Sequence, residues 1–337
     1  MQITTIGLDI AKNVFQVHGI DATEKVAVRK QLRRGQVMGF FKALAPCLVG
    51  MEACATSHYW ARELTKLGHQ VRLMPAKHVK AYIKRNKNDA ADAEAICEAV
   101  RRPTMRFVQV KSADQQAQLM QHRARDLLMQ QRTQLINAMR SHLAELGIIA
   151  PQGREGVKEL LAIIAHDDNR HIPNDARASL MVLAAQLQAL QTMIGAIEKR
   201  IVKQHRASKE SKRIQTVPGI GEIGASAIAA TVTNPRIFRS GRDFAAWIGL
   251  VPRQMSTGGK PKLGGIGKQA NHYLRRQMIH GARSVAFRAS GRGDVRSRWL
   301  QALVARRGFN RAIVALANKT ARIAWALLTR QEVYQTA

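Results

Sequence analysis

Carboxylates are what this chain lacks most for its size: 23 Asp and Glu stand against 54 Lys and Arg, a formal net charge of +31 over 337 residues. Solubility needs far less, so the imbalance points to a polyanionic partner. Cysteine is scarce too. Cys47, Cys54 and Cys97 are odd in number and have no CxxC spacing, which argues against a disulfide framework and a zinc site and leaves buried thiols in a reducing compartment as the expectation. A charged-then-apolar leader with a cleavage site is missing, and no apolar run approaches about 20 residues, so neither export nor membrane spanning is expected and the cytoplasm is the expected location. A hydrophobic content of 46% and the length allow two or three units with their own cores.

The positive charge is unevenly spread. Residues 1–104 hold 17 basic and 9 acidic side chains, residues 105–204 hold 13 and 9, and residues 205–337 hold 24 and 5. The C-terminal third is therefore the expected electrostatic grip.

Where acids are rare, those set in apolar runs carry the most information, because a carboxylate there is costly without a partner. Asp9 lies in Ile6–Lys12, Glu52 follows Val49-Gly50-Met51, and Asp89 and Asp92 stand three apart in the alanine-rich block Lys87–Glu94, on one face of a helix. Four hard oxygen donors in a basic protein suggest Mg²⁺ and phosphate chemistry. The plain alternative is that Asp89 and Asp92 only solvate the start of a helix.

Read in order, the chain opens with three short strands, Ile3–Ile10, Val14–Ile20 and Val26–Leu32. A helix near 36–44, a strand Cys47–Met51, a helix near 57–67 ending at Gly68 and a strand His69–Met74 follow. Three strands and then alternating helix and strand match an RNase H-like (RuvC-like) α/β sheet, in which acids on the first and fourth strands meet acids on a later helix. Residues 1–108 are assigned to this unit. Helical spacing from Ser112 to Leu146 predicts one long helix; a loop containing Pro151 and Gly153 is expected next, and Asp175 is placed to cap a second helix, whose Leu180, Leu183, Leu187, Leu190, Ile194, Ile197 and Ile201 form a heptad seam. The seam predicts either a coiled coil or two helices packed within one chain, over residues 109–205. Residues 206–337 form the expected mostly helical C-terminal domain. There the glycine-rich turn Thr216–Gly224 looks like a helix-hairpin-helix element whose amides, at Gly219 and Gly221, can grip phosphate. A flexible loop, Met255–Lys268, then offers the hydroxyl of Ser256 with Lys260, Lys262 and Lys268, and a helix carrying Arg275 and Arg276 follows. That combination is suited to meet a phosphodiester. A basic amphipathic helix near 310–329 closes the chain.

Together the start at Gly7–Lys12, the Gly-Met-Glu-Ala-Cys stretch around Glu52, the block Lys87–Ala93, the Val-Pro-Gly-Ile-Gly turn and the loop around Ser256 with its Tyr273–Arg276 sequel resemble the bacterial insertion-sequence transposases that carry a DEDD tetrad and a separate C-terminal serine domain, described as bridge-RNA-guided recombinases. Carried over by position, the resemblance implies a tetrad at Asp9, Glu52, Asp89 and Asp92 and a nucleophile at Ser256. It also implies a tetramer, a dimer of dimers with active sites shared between protomers, acting on donor and target DNA with a structured RNA encoded by the element. Ala270 departs from the pattern, standing where relatives commonly have glycine.

Three functions are open on the residues themselves. The first is a recombinase that forms a phosphoserine link, the second a junction-resolvase-type nuclease in which activated water attacks, and the third a nucleic-acid binder without chemistry.

Overall fold

The computed structural model describes residues 2–83, 88–166, 171–267, 270–289 and 291–335. Two compact units divide the chain, Met1–Gln116 and Ala117–Ala337. The expected segments 109–205 and 206–337 thus fall largely in one compact unit.

In the first unit β1 (Ile3–Ile10), β2 (Val14–Asp21) and β3 (Val26–Arg33) form an antiparallel meander. Helix α1 (Val37–Lys42) leads to β4 (Leu48–Glu52), and α2 (Ser57–Lys66) to β5 (Gln70–Met74); both strands run parallel to β1, in the sheet order β3-β2-β1-β4-β5. Helices α3 (Ala76–Val79) and α4 (Asp89–Val100) complete the unit. The period-2 alternation of the strands sorts their residues by face. Ile6, Leu8, Val49, Met51 and Leu73 pack under α1 and α2 with Phe41, Trp60 and Leu64. The opposite face receives Ile96, Ala99 and Val100 of α4.

Two glycines set how closely α4 lies on that face. A Cβ on Gly7 would stand 2.1 Å from the Ala93 carbonyl oxygen and 2.4 Å from the Cys97 nitrogen, and one on Gly50 would stand 2.7 Å from Val100. Only hydrogen at both positions lets the helix backbone rest on the strands.

The second unit is helical. Helix α5 (Ala113–Glu145), most of which lies in this unit, α6 (Arg154–Ala165) and α7 (Asn174–Ala207) share a core of Met139, Leu143, Leu160, Ile164, Leu180 and Leu187. Helix α6 falls where a loop was expected. Its start at Arg154 directly follows Gly153, whose φ is +96°. Asp175 is not the cap of α7 but sits in its first turn, after Pro173. Of the heptad seam, Leu180, Leu187, Leu190, Ile194 and Ile201 are buried against this same chain, which is the geometry of helices packed within one molecule. Among the described residues α7 is long and apolar enough to cross a membrane by length and composition alone. Gln186, Gln188, Gln191 and Thr192 interrupt that stretch, so it is not an unbroken apolar run, and its heptad seam is largely buried.

Helices α8 (Lys209–Gln215), α9 (Glu222–Thr231) and α10 (Gly241–Ile248) come next. Strands β6 (Pro252–Thr257) and β7 (Lys260–Ile266) form a separate antiparallel hairpin. Helices α11 (His272–Ala289), α12 (Val295–Arg307) and α13 (Phe309–Arg330) then close a core with α8–α10 around Phe244, Ile248, Leu274, Met278, Ile313 and Leu316. Of the three cysteines, Cys47 and Cys97 are buried and Cys54 is exposed, against the expectation of three buried thiols. Burial pushes the Cys47 and Cys97 thiols up to about 11, so both are inert at neutral pH.

Candidate active site

Sheet register brings the first two acids together. Leu8 pairs with Met51 across the parallel β1–β4 ladder, so Asp9 and Glu52, each one residue further, lie side by side near the C-terminal ends of adjacent strands, roughly 5 Å apart. Both fall on the face of Gly7 and Gly50, the face that α4 covers. Asn88 caps α4, its side-chain oxygen accepting from the Ala91 amide at 2.7 Å, and this places Asp89 and Asp92 in the first turn. Carboxylates are favoured there by the positive end of the helix dipole. Side-chain oxygens of Asp9, Asp89 and Asp92 lie within 4.8 Å of one another. Glu52 borders this trio without belonging to it.

Three carboxylates at that spacing repel one another unless a cation sits between them, and a set made only of carboxylate oxygens suits a hard divalent ion such as Mg²⁺ rather than a thiolate- or imidazole-seeking metal. The donor chemistry therefore fits the expected ion.

Beside α4 a cleft of about 390 Å³ is lined by Gln16, His18, Arg29, Gln31, Asn88 and Glu94, among others. Gln16 pairs with Asp9 and His18 with Gly7 across β1–β2, so these side chains share the acid-bearing face. Sequence reading passed over them, although the alternation of β2 carries the signal.

In the second unit Ser256 belongs to a β-hairpin, where a flexible loop was expected. Gly258 and Gly259, with φ of +57° and +76°, form the two-residue turn, as positive φ at both positions permits. Every residue of β6 is exposed. Ser256 Oγ accepts from Gln254 Nε2 at 2.9 Å. Ser256 pairs with Pro261, whereas Lys260 and Lys262 pair with Thr257 and Met255. Directly paired residues share a face, so both lysines lie on the side of the ribbon opposite Ser256. Lys268 lies outside the described residues.

Arg275 donates to the Gly267 carbonyl and contacts His272 Nδ1 at 2.9 Å, which fastens the base of the hairpin to α11. Arg276 is ion-paired with Asp126 and lies over the Tyr273 ring. Gly219, at φ +98°, meets α11 backbone to backbone: a Cβ on Gly281 would stand 1.7 Å from the Gly219 carbonyl oxygen. Gly221 is exposed and precedes α9. Behind this surface His122 of α5 is buried between Tyr273 Oη and Ser226 Oγ, 3.1 Å from each. Burial, with help from Arg125, lowers its pKa to about 4, so it is neutral at ordinary pH. A lone histidine in an amphipathic helix gives no sequence signal of such a joint.

Residues 6–148 match the family described as Transposase, of the DEDD type named for IS110. Residues 211–299 match the Transposase IS116/IS110/IS902 family. The chain is 51% identical over 336 residues to the probable family 20 transposase of Pseudomonas aeruginosa, covering 99% of each chain. It is 45% identical to the putative transposase y4pF/y4sB of Sinorhizobium fredii, over 100% of this chain and 87% of the relative. It is 40% identical to the transposase for insertion sequence element IS1111A of Coxiella burnetii, over 99% and 92%.

Proposed function

This chain belongs to the IS116/IS110/IS902 family of insertion-sequence transposases, and from that premise we propose that it cuts and rejoins DNA through a phosphoserine intermediate at Ser256, with Asp9, Glu52, Asp89 and Asp92 holding Mg²⁺. The observation that carries the reading is the convergence of Asp9, Asp89 and Asp92 from a strand and a helix far apart in sequence. Bound there, the ion would neutralise charge and act as a Lewis acid toward phosphate oxygens.

The chain's own part is positioning and nucleophilic attack. Asp9 and Glu52 are fixed by the sheet, and Asp89 and Asp92 by the capped first turn of α4. The Ser256 oxygen forms a bond to phosphorus, the bond from phosphorus to a deoxyribose oxygen breaks, and that oxygen leaves with a proton. The serine proton passes to a base in the assembled complex. Because Gln254 donates to Ser256 Oγ, the hydroxyl's own hydrogen is directed elsewhere, toward such an acceptor. Attack by a deoxyribose hydroxyl on the phosphoserine reverses the step and rejoins a strand. Lys260 and Lys262, on the other face of the ribbon, contribute field to the phosphate under attack rather than contact, while Arg275 and Arg276 serve nucleic acid by holding the hairpin and its helix in place.

Its partners in this reading are donor and target DNA and a structured RNA encoded by the element, for which the charge of +31 supplies the attraction. Gly219 and Gly221 present the α9 turn to phosphate. A homotetramer in the bacterial cytoplasm is the proposed working form. Met120, Leu127, Val182 and Met193, exposed on α5 and α7, are apolar surface available for such assembly.

The test is a denaturing gel of supercoiled element DNA incubated with protein, Mg²⁺ and co-expressed element RNA. DNA migrating with covalently linked protein supports the recombinase. Free cleaved ends would instead indicate a water-using nuclease, and uncut DNA that is still bound would indicate a binding protein. Single alanine substitution of Asp9, Glu52, Asp89 or Asp92 should abolish cleavage while leaving binding intact.

A further inference from the structure

Away from the acids and the hairpin, the C-terminal helices carry a feature that strand cleavage does not use. Residues 295–330, spanning α12 and α13, contain eight basic side chains and no acidic one. Between α10, α12 and α13 lies an open cleft of about 730 Å³, within the range of sites that hold a nucleotide-sized ligand. Trp299 and Trp325 contribute aromatic wall, and Arg242, Lys319 and Arg322 contribute charge; among the described residues no carboxylate lines it. Trp325 donates its indole N–H to the Pro235 carbonyl at 2.9 Å, which fixes the ring. Lys319 Nζ sits 4.6 Å from the centre of the Trp299 ring. The start of α10 presses on α13, since a Cβ on Gly241 would stand 3.1 Å from the Arg322 carbonyl oxygen, and this holds Arg242 near Arg322. Among the described residues neither arginine nor the lysine forms an ion pair.

We propose that this cleft binds an unstacked nucleotide of a single-stranded segment, the base lying against Trp299 and the flanking phosphates meeting Arg242, Lys319 and Arg322. A cation cluster on a convex surface would serve duplex backbone equally well. A cleft with an aromatic wall favours a base that has left its stack, because a base inside a duplex offers no free π-face. The occupant is polyanionic because the wall charges have no acidic partner among the described residues, and it carries a ring because Trp299, half-buried on the core, still lends aromatic wall to the cleft, where Lys319 is a cation that a base can join or displace. The same chemistry is presented by a melted DNA strand and by an RNA loop. The inference concerns binding alone and does not depend on Ser256 or the acids.

The experiment uses the full-length protein, without divalent metal, and oligonucleotides of about 12 residues, within the site size such grooves occupy. One is oligothymidine bearing a single 5-iodouracil, one is the oligouridine equivalent, and one is a duplex of equal length. Irradiation of the wild-type complex followed by peptide mapping should place the crosslink on Trp299 or a residue beside it. A crosslink from the DNA probe alone assigns the cleft to melted DNA, one from the RNA probe alone assigns it to RNA, and either supports the site. By anisotropy, Trp299→Leu should weaken the single-stranded probes by roughly 5- to 150-fold, the worth of one stacked base, and leave the duplex nearly unchanged. Trp299→Phe should retain most of the affinity. Crosslinks confined to other parts of the protein, equal loss for duplex and single strand, or loss with Phe as great as with Leu would overturn the proposal.

Discussion

At the scale of single residues the site depends on atoms that are missing as much as on those present. Gly7 touches no substrate in any reading, yet its lack of a Cβ lets α4 rest on β1 and carry Asp89 and Asp92 toward Asp9. In Gly7→Ala the new carbon would meet the Ala93 carbonyl oxygen at 2.1 Å, so the helix must shift. Because a displacement of about 1 Å can cost on the order of 100-fold in rate, cleavage should fall by about that factor while DNA affinity stays within about twofold. Unchanged cleavage by this variant would dissociate α4 placement from catalysis. Gly281 makes the parallel case for stability. Its added methyl would collide with the Gly219 carbonyl, a backbone atom that cannot swing aside, and Gly281→Ala should cost about 1–3 kcal/mol in denaturant unfolding. The acids were legible in the sequence because carboxylates are few and stood in apolar runs. The glycines were not, since close approach is a property of two elements brought together by the fold.

At the scale of elements, the strands and long helices followed from periodicity to within a residue or two, as β1 and α5 illustrate. Two elements did not. Helix α6 has Val157, Leu160, Leu161 and Ile164 at helical spacing, but Pro151 and Gly153 just before it drew the reading toward a loop. The hairpin around Ser256 has a Gly-Gly pair between two extended runs, a turn signal masked by the further glycines at 264, 265 and 267. Neither miss moved a candidate residue, but the second changed its surroundings, because alternation across β6 and β7 separates Ser256 from Lys260 and Lys262. The joint between α5, α9 and α11 has a pH signature. His122 titrates near 6.5 when exposed and at about 4 when buried, so the folded state disfavours its protonation. Its contribution to stability is intact above pH 6.5 and is lost as pH falls from 6.5 to about 4, by up to about 3 kcal/mol. His122→Gln, which can keep a donor and an acceptor in place, should flatten this part of the stability profile. An identical fall for variant and wild type would remove His122 as its cause.

At the scale of the whole molecule, charge dominates. A chain of net charge +31 that neutralises on the order of 6–10 phosphates should lose about 10³–10⁵ in affinity for DNA between roughly 50 and 200 mM salt. A loss of less than tenfold would be incompatible with a grip made through many phosphates. Composition announced that partner from the start. It did not announce that the helical hairpin and the C-terminal helices fall in one compact unit, because burial of the heptad seam by neighbours in the same chain is decided by tertiary packing.

The claim on which the account turns is that the oxygen of Ser256 becomes bonded to DNA. It is tested most directly by trapping the cleavage reaction in denaturant, digesting both polymers and locating the nucleotide-bearing peptide by mass spectrometry. The expected result is a mononucleotide phosphate on Ser256 in the wild-type protein, absent from Ser256→Ala and retained in Thr257→Ala. An adduct on any other residue, or recombined DNA produced by Ser256→Ala, would contradict the serine mechanism.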